Sequence, residues 1–95
     1  MILISHRGNI NGPNKDFENN PSYINQALKN GFDVEVDLWK TNQLYFGHSK
    51  PQYNVDEDTL IKYSSSLWFH CKNFEALLYC MEKKLHCFWH EEDSY

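Results

Sequence analysis

Two histidines, an arginine and a pair of acidic residues are spread over the first half of this 95-residue chain, in Ser5-His6-Arg7-Gly8, Glu18-Asn19, Glu35-Val36-Asp37 and Gly47-His48. Together they supply the groups needed to hold a divalent cation beside a phosphodiester and to move protons around it. Glu35 and Asp37 are two apart in a stretch that alternates with period two, so on a strand their carboxylates share one face, about 6.5–7 Å apart at the backbone. Left without a partner the two acids repel. A hard divalent ion with oxygen ligands, Mg²⁺ or Ca²⁺, is the natural neutraliser. A solvated strand face would present the same residues. That alternative weakens because Phe32, Val34, Val36 and Leu38 already claim the side of the strand that packs on helices. His6 and His48 each close an apolar run, and in parallel α/β sheets ligands collect at the carboxyl ends of strands. Imidazoles there suit acid and base roles near neutral pH. Singly, each histidine would be read as structural and Arg7 as a surface ion pair. Beside His6, however, the planar guanidinium fork matches phosphate oxygens.

The elements that must position these groups follow from local patterns. Met1 to Ser5 is a short apolar strand, followed by a polar loop from Gly8 to Asp16. Asn20 and Pro21 open a helix that carries Ile24, Ala27 and Leu28 inward, and Gly31 stands at its left-handed end. Phe32 to Trp39 is the second strand, with Asp33, Glu35, Asp37 and Trp39 on its acidic face. Thr41-Asn42-Gln43 turns into Leu44 to His48, a hairpin-like excursion. Asp56-Glu57-Asp58 suit the positive end of a second helix, which stops in Ser64-Ser65-Ser66. Leu67 to Lys72 is a strand with Trp68, His70 and Lys72 on one face and Leu67, Phe69 and Cys71 on the other. Asn73 caps a third helix whose Phe74, Leu77, Leu78 and Met81 repeat at helical spacing, and Leu85 to His90 begins one more strand.

Size and composition narrow the function. The chain is one domain, residues 1–95, with 41% hydrophobic residues. A formal charge of −4 and only nine scattered Lys and Arg argue against nucleic acid as a partner. No apolar run approaches the ~20 residues of a membrane span. Met1-Ile2-Leu3-Ile4 is too short for a signal peptide, so a cytoplasmic location is expected. Cys71, Cys80 and Cys87 are an odd number without a CxxC pair, which fits reduced thiols packed as small hydrophobes. His86, Cys87, His90, Glu91, Glu92 and Asp93, read with His70 and Cys71, match no paired zinc-ligand spacing. His90 and Glu92 are expected to line the same mouth as His6.

His6-Arg7-Gly8, Glu18-Asn19, Glu35-x-Asp37 and His48, in this order and spacing, resemble the glycerophosphodiester phosphodiesterases, relatives of phosphatidylinositol-specific phospholipase C. The resemblance spans essentially the whole chain and implies hydrolysis of a small phosphodiester to glycerol 3-phosphate and an alcohol. It implies His6 and His48 as the paired acid and base, Arg7 and Lys72 as phosphate-binding residues, Glu35 and Asp37 as metal ligands, and Glu18 as a support to the site. Three positions depart from the family pattern. Asn20 replaces a threonine, Ser49 an aspartate, and His70 the glutamate that normally completes the metal ligands. An imidazole at that position turns preference from Mg²⁺ or Ca²⁺ towards Mn²⁺ or Zn²⁺.

The resemblance further implies a partial (β/α)8 TIM barrel: about four parallel βα units with a hairpin excursion after the second strand, the N-terminal half of the family's fold. A closed barrel needs about 250 residues. Half a barrel leaves open sheet edges, so the expectation is a truncated and weakly active enzyme, a chain completed by a second copy or a complementing chain, or a collapse into another compact form. The alternative function is a non-catalytic phosphate-binding or assembly module.

Overall fold

The computed structural model describes residues 4–7 and 18–89, with the backbone alone at 4–6. The loop expected over Gly8 to Asp16 and the rim residues His90 and Glu92 lie outside the described residues.

Chain order is β1 (Ile4–His6), α1 (Pro21–Lys29), β2 (Asp33–Lys40), β3 (Leu44–Phe46), β4 (Tyr53–Val55), α2 (Glu57–Lys62), β5 (Leu67–Cys71), α3 (Phe74–Lys83) and β6 (Cys87–Trp89), with a 3₁₀ turn at Ser64–Ser66. The helix starts follow their capping residues. Asn20, Asp56 and Asn73 accept hydrogen bonds from the backbone N–H of Ser22, Thr59 and Ala76. Asn73 does more than cap. Its Oδ1 also accepts from Lys40 N at 3.1 Å and its Nδ2 donates to Lys40 O at 2.8 Å, which ties the end of β2 to the start of α3. Gly31 takes φ +85°, the left-handed value that ends α1.

All six strands form one sheet in the order β4-β3-β2-β5-β6, with β1 also on β2. Val34 pairs with both Ser5 and Leu67, while Leu38 pairs with both Phe46 and Cys71. One edge of β2 is therefore given to β5, and the other is shared end to end by β1 and then β3. The pairings β1·β2, β2·β5 and β5·β6 are parallel, whereas β2·β3 and β3·β4 are antiparallel. This open mixed sheet corrects the expected partial (β/α)8 TIM barrel of about four parallel βα units. Leu44–Phe46 makes the expected hairpin with β2, but it hydrogen-bonds into the sheet rather than standing apart from it, and it brings an unforeseen strand, Tyr53–Val55, with it. The physical reason is the length of β2. Its eight residues outrun the three-residue β1, and the edge left unpaired beyond Glu35 is satisfied by a strand running the other way.

Alternation along the strands sorts the faces as expected. Val34, Val36 and Leu38 of β2 and Leu67, Phe69 and Cys71 of β5 are buried against Ile24 and Ala27 of α1, Leu60 of α2 and Ala76, Tyr79 and Cys80 of α3. Helix α3 is rotated from its expected face. Phe74, Leu78 and Met81 are exposed, and the small Ala76 and Cys80 meet the sheet instead. Seven of its ten residues are apolar, so periodicity alone leaves its rotation open, and small side chains allow the closer approach. Among the described residues no helix is long and apolar enough to cross a membrane.

Candidate functional site

The edge of β2 changes partner between Glu35 and Leu38. Arg7 N donates to Glu35 O, and Gly47 N donates to Asp37 O at 3.1 Å. The end of β1 and the loop after β3 thus meet at one point, above the face that carries Glu35 and Asp37.

Asp37 is the centre of this point, with its side chain 1% exposed. Arg7 Nε lies 2.8 Å from its Oδ2, and Asn19 Nδ2 donates to the same oxygen at 2.9 Å. His48 Nδ1 is 3.6 Å from Oδ2. His70, directly opposite Asp37 in the parallel register of β2 and β5, brings Nδ1 to 3.1 Å from Oδ1. One buried carboxylate therefore gathers a guanidinium, an amide and two imidazoles from four separate stretches of chain. A second acid, Glu18 Oε2, lies 3.4 Å from Arg7 Nη1 and fixes the guanidinium from its other end. Arg7 has five N–H donors, so these two contacts leave capacity for an anionic ligand.

The local backbone is shaped to make these contacts. Arg7 and Asn19 both adopt left-handed φ, +56° and +65°, and Asn19 N donates to Arg7 O at 3.1 Å. Such conformations cost about 1–3 kcal/mol each and persist where surrounding contacts hold them. Asn19 supplies that hold. It is fully buried, and its Oδ1 accepts from Asp37 N at 2.9 Å, standing in for the strand partner missing between β1 and β3. Gly47 is crowded on the other side. A Cβ there would fall on the carbonyl oxygen of Lys50, and its own carbonyl accepts from Trp39 Nε1 at 2.7 Å.

The two imidazoles beside Asp37 differ in environment. His70 is 4% exposed and stacks on Phe88 of β6 with ring centroids 4.9 Å apart. His48 is 40% exposed and so meets solvent. Glu35 is half-buried two residues from Asp37 on the same face, opposite His6 in β1 and Trp68 in β5. The backbone of His6 ends β1 beside Glu35, and its imidazole lies outside what the structure describes. Lys72 follows β5, half-buried, and its backbone N–H donates to Leu38 O at 2.8 Å. Asp37 with Arg7, Glu18, His48 and His70 is thus one cluster, with Glu35 next to it.

Two features are not evident from the sequence. Asn19 is legible there only as half of a Glu-Asn pair, whereas it is the residue that clamps Asp37. The second is a thiol cluster on the opposite side of the sheet. Cys71 of β5, Cys80 of α3 and Cys87 of β6 place their sulfurs within 4.8 Å of one another, so that together they could hold a metal ion. Cys71 and Cys80 are fully buried and their Sγ atoms are 3.8 Å apart. The Cys80 thiol beside it holds Cys71 below the usual thiol range. The same contact, with burial, pushes Cys80 far up. Burial, and then charge on Cys71, pushes Cys87 up. Ligand spacings of 9 and 7 residues fit no familiar zinc pattern, and the available signal was the strand-helix-strand order that stacks them.

Compared with protein-family models, with curated proteins and with solved structures, the chain matches none.

Proposed function

We propose that this chain is a metal-dependent phosphodiester hydrolase of the glycerophosphodiester type, producing glycerol 3-phosphate and an alcohol. The observation that supports it is the convergence of Arg7, Asn19, His48 and His70 on the buried Asp37, with Glu35 alongside. The reading rests on these residues and needs no closed barrel.

Asp37 Oδ1 is buried with His70 Nδ1 3.1 Å away, an oxygen and a nitrogen that could turn to one cation together. With Glu35 turned towards it, Asp37 and His70 would supply a two-carboxylate, one-imidazole set of the kind that takes Mg²⁺ or Ca²⁺, or Mn²⁺ or Zn²⁺ on account of the imidazole; among the described residues only the three cysteines already stand within ligand distance of one another. Such an ion would neutralise charge developing on the phosphoryl oxygens. Arg7, steered by Asp37 and Glu18, binds a non-bridging phosphate oxygen, and Lys72 assists from the end of β5. His48, the solvent-facing imidazole, exchanges a proton with the attacking water or the leaving alcohol, and His6 takes the complementary role. Asp37 orients His48, a task that Ser49 leaves unfilled. The setting is the cytoplasm, where the three thiols stay reduced.

Purified chain given glycerophosphocholine with Mg²⁺, Ca²⁺, Mn²⁺ or Zn²⁺ in separate arms is expected to release glycerol 3-phosphate. Activity should vanish with chelator and fall at least about 100-fold in His48→Ala and His6→Ala. Calorimetric titration of Glu35→Gln is the decisive control: metal affinity unchanged from the parent removes the support for this reading.

A second reading, a non-catalytic phosphate-binding or assembly module, is favoured by the exposed Phe74, Leu78 and Met81 ridge of α3 and by outer strands β4 and β6. These would serve a second copy or a complementing chain. A sharp monomer peak in size-exclusion chromatography with mass detection would count against it.

A further inference from the structure

We infer that Cys71, Cys80 and Cys87 form a three-thiolate centre for one soft cation of the Zn²⁺ or Cu⁺ class, which pins α3 to β5 and β6. Thiolate sulfur selects such ions over Mg²⁺ and Ca²⁺. Around a tetrahedral ion with metal–sulfur bonds of about 2.3 Å, two thiolates stand about 3.8 Å apart. Cys71 and Cys80 already hold that separation, and Cys87 lies within 4.8 Å of both. Closure therefore needs a shift of one side chain by about 1 Å, at the end of a three-residue strand.

The backbone brings the ligands from three consecutive elements. β5 and β6 are neighbouring parallel strands, with Cys71 opposite Trp89 and Cys87 opposite Phe69, and α3 crosses over them. Cys87 is the partly exposed member, so the ion enters on its side, and a fourth position is open to water or a small thiol. Binding turns three S–H groups into thiolates and releases three protons, with no change in oxidation state. The centre is independent of the phosphodiester site, since Cys71 and His70 point to opposite faces of β5.

The test uses the full chain, reduced and metal-free, given Zn²⁺ or, under anaerobic conditions, Cu⁺, against a competing chelator. Co²⁺ serves as the spectroscopic probe. The expected result is one thiolate-bound ion per chain from at least one of the two metals. Three thiols should become protected from alkylation, thiolate-to-cobalt charge transfer should appear, and the melting temperature should rise. Cys87→Ser, at the half-buried ligand, should lower affinity at least about 100-fold, the upper end of what losing even an outer-shell partner costs, with an unchanged circular dichroism spectrum. Cys80→Ser should do the same, and if it fails to fold Cys87→Ser decides alone. Three thiols that alkylate equally with and without both metals, protection of fewer than three, or Co²⁺ bound without charge transfer would each overturn the assignment and leave the cysteines as core side chains only.

Discussion

Replacing Asn19 tests whether this residue holds the cluster together. Asn19→Ala deletes two buried hydrogen bonds to Asp37, one to the carboxylate and one from the backbone N–H, both 2.9 Å long. A hydrogen bond to a charged group contributes about 1.5–3 kcal/mol and a neutral one about 0.5–1.5 kcal/mol. The expected loss is then about 2–4 kcal/mol, increased by whatever it costs to leave the Asp37 N–H in the gap between β1 and β3. A 95-residue domain has about 5–14 kcal/mol of stability in all, so this is a large fraction. In urea, with a slope of about 1–3 kcal/mol per M, the midpoint should fall by about 0.7–4 M. The backbone supplies an internal check. Asn19 sits at φ +65°, where alanine is disfavoured by about 1 kcal/mol and glycine is not. Asn19→Gly should lose the same hydrogen bonds and yet be more stable than Asn19→Ala by about 0.5–1 kcal/mol. Equilibrium urea unfolding of the three proteins measures both differences. A loss below about 1 kcal/mol for alanine, or alanine at least as stable as glycine, would refute the role given to Asn19.

Two further outcomes follow from neighbouring geometry. Gly47→Ala drives a methyl group into the Lys50 carbonyl and the Gln52 backbone, which should cost about 1–3 kcal/mol and displace His48, so melting temperature and any His48-dependent activity should fall together; wild-type stability in this variant would show that the loop yields freely. At the start of α2, hydrogen bonds from the Thr59 side chain and then its backbone N–H hold Asp56 below its ordinary pKa of 3.8. The folded value lies below the unfolded one, so its contribution is present above pH 3.8 and disappears as pH falls through the depressed value. The stability difference between the parent and Asp56→Asn should shrink from about pH 5 to about pH 3, and a constant difference would contradict the linkage.

Features set by near neighbours are legible in the sequence alone. The caps Asn20, Asp56 and Asn73, the left-handed Gly31, and the inward Val34, Val36 and Leu38 all appear where spacing and residue type put them. The strand from Tyr53 to Val55 is not, because three residues of mixed polarity carry no usable period and pair only once β3 offers an edge. The barrel expectation fails at the same place. The antiparallel return of β3 is legible as a hairpin at Thr41-Asn42-Gln43, whereas its place in the sheet depends on the edge of β2 that β1 leaves unfilled.

By itself the sequence determined which side chains lie on which face of each element, because a strand repeats every two residues and a helix every 3.6. It therefore put Glu35 with Asp37, and His70 with Lys72, on common faces. Only the tertiary structure decided which faces meet and in what register. Asp37 opposite His70, Asn19 reaching across 18 residues to Asp37, the rotation of α3, and three sulfurs converging behind the sheet are all of that kind. Such pairings are selected by the summed packing of the whole core, and a shift of one residue in register would separate every one of them.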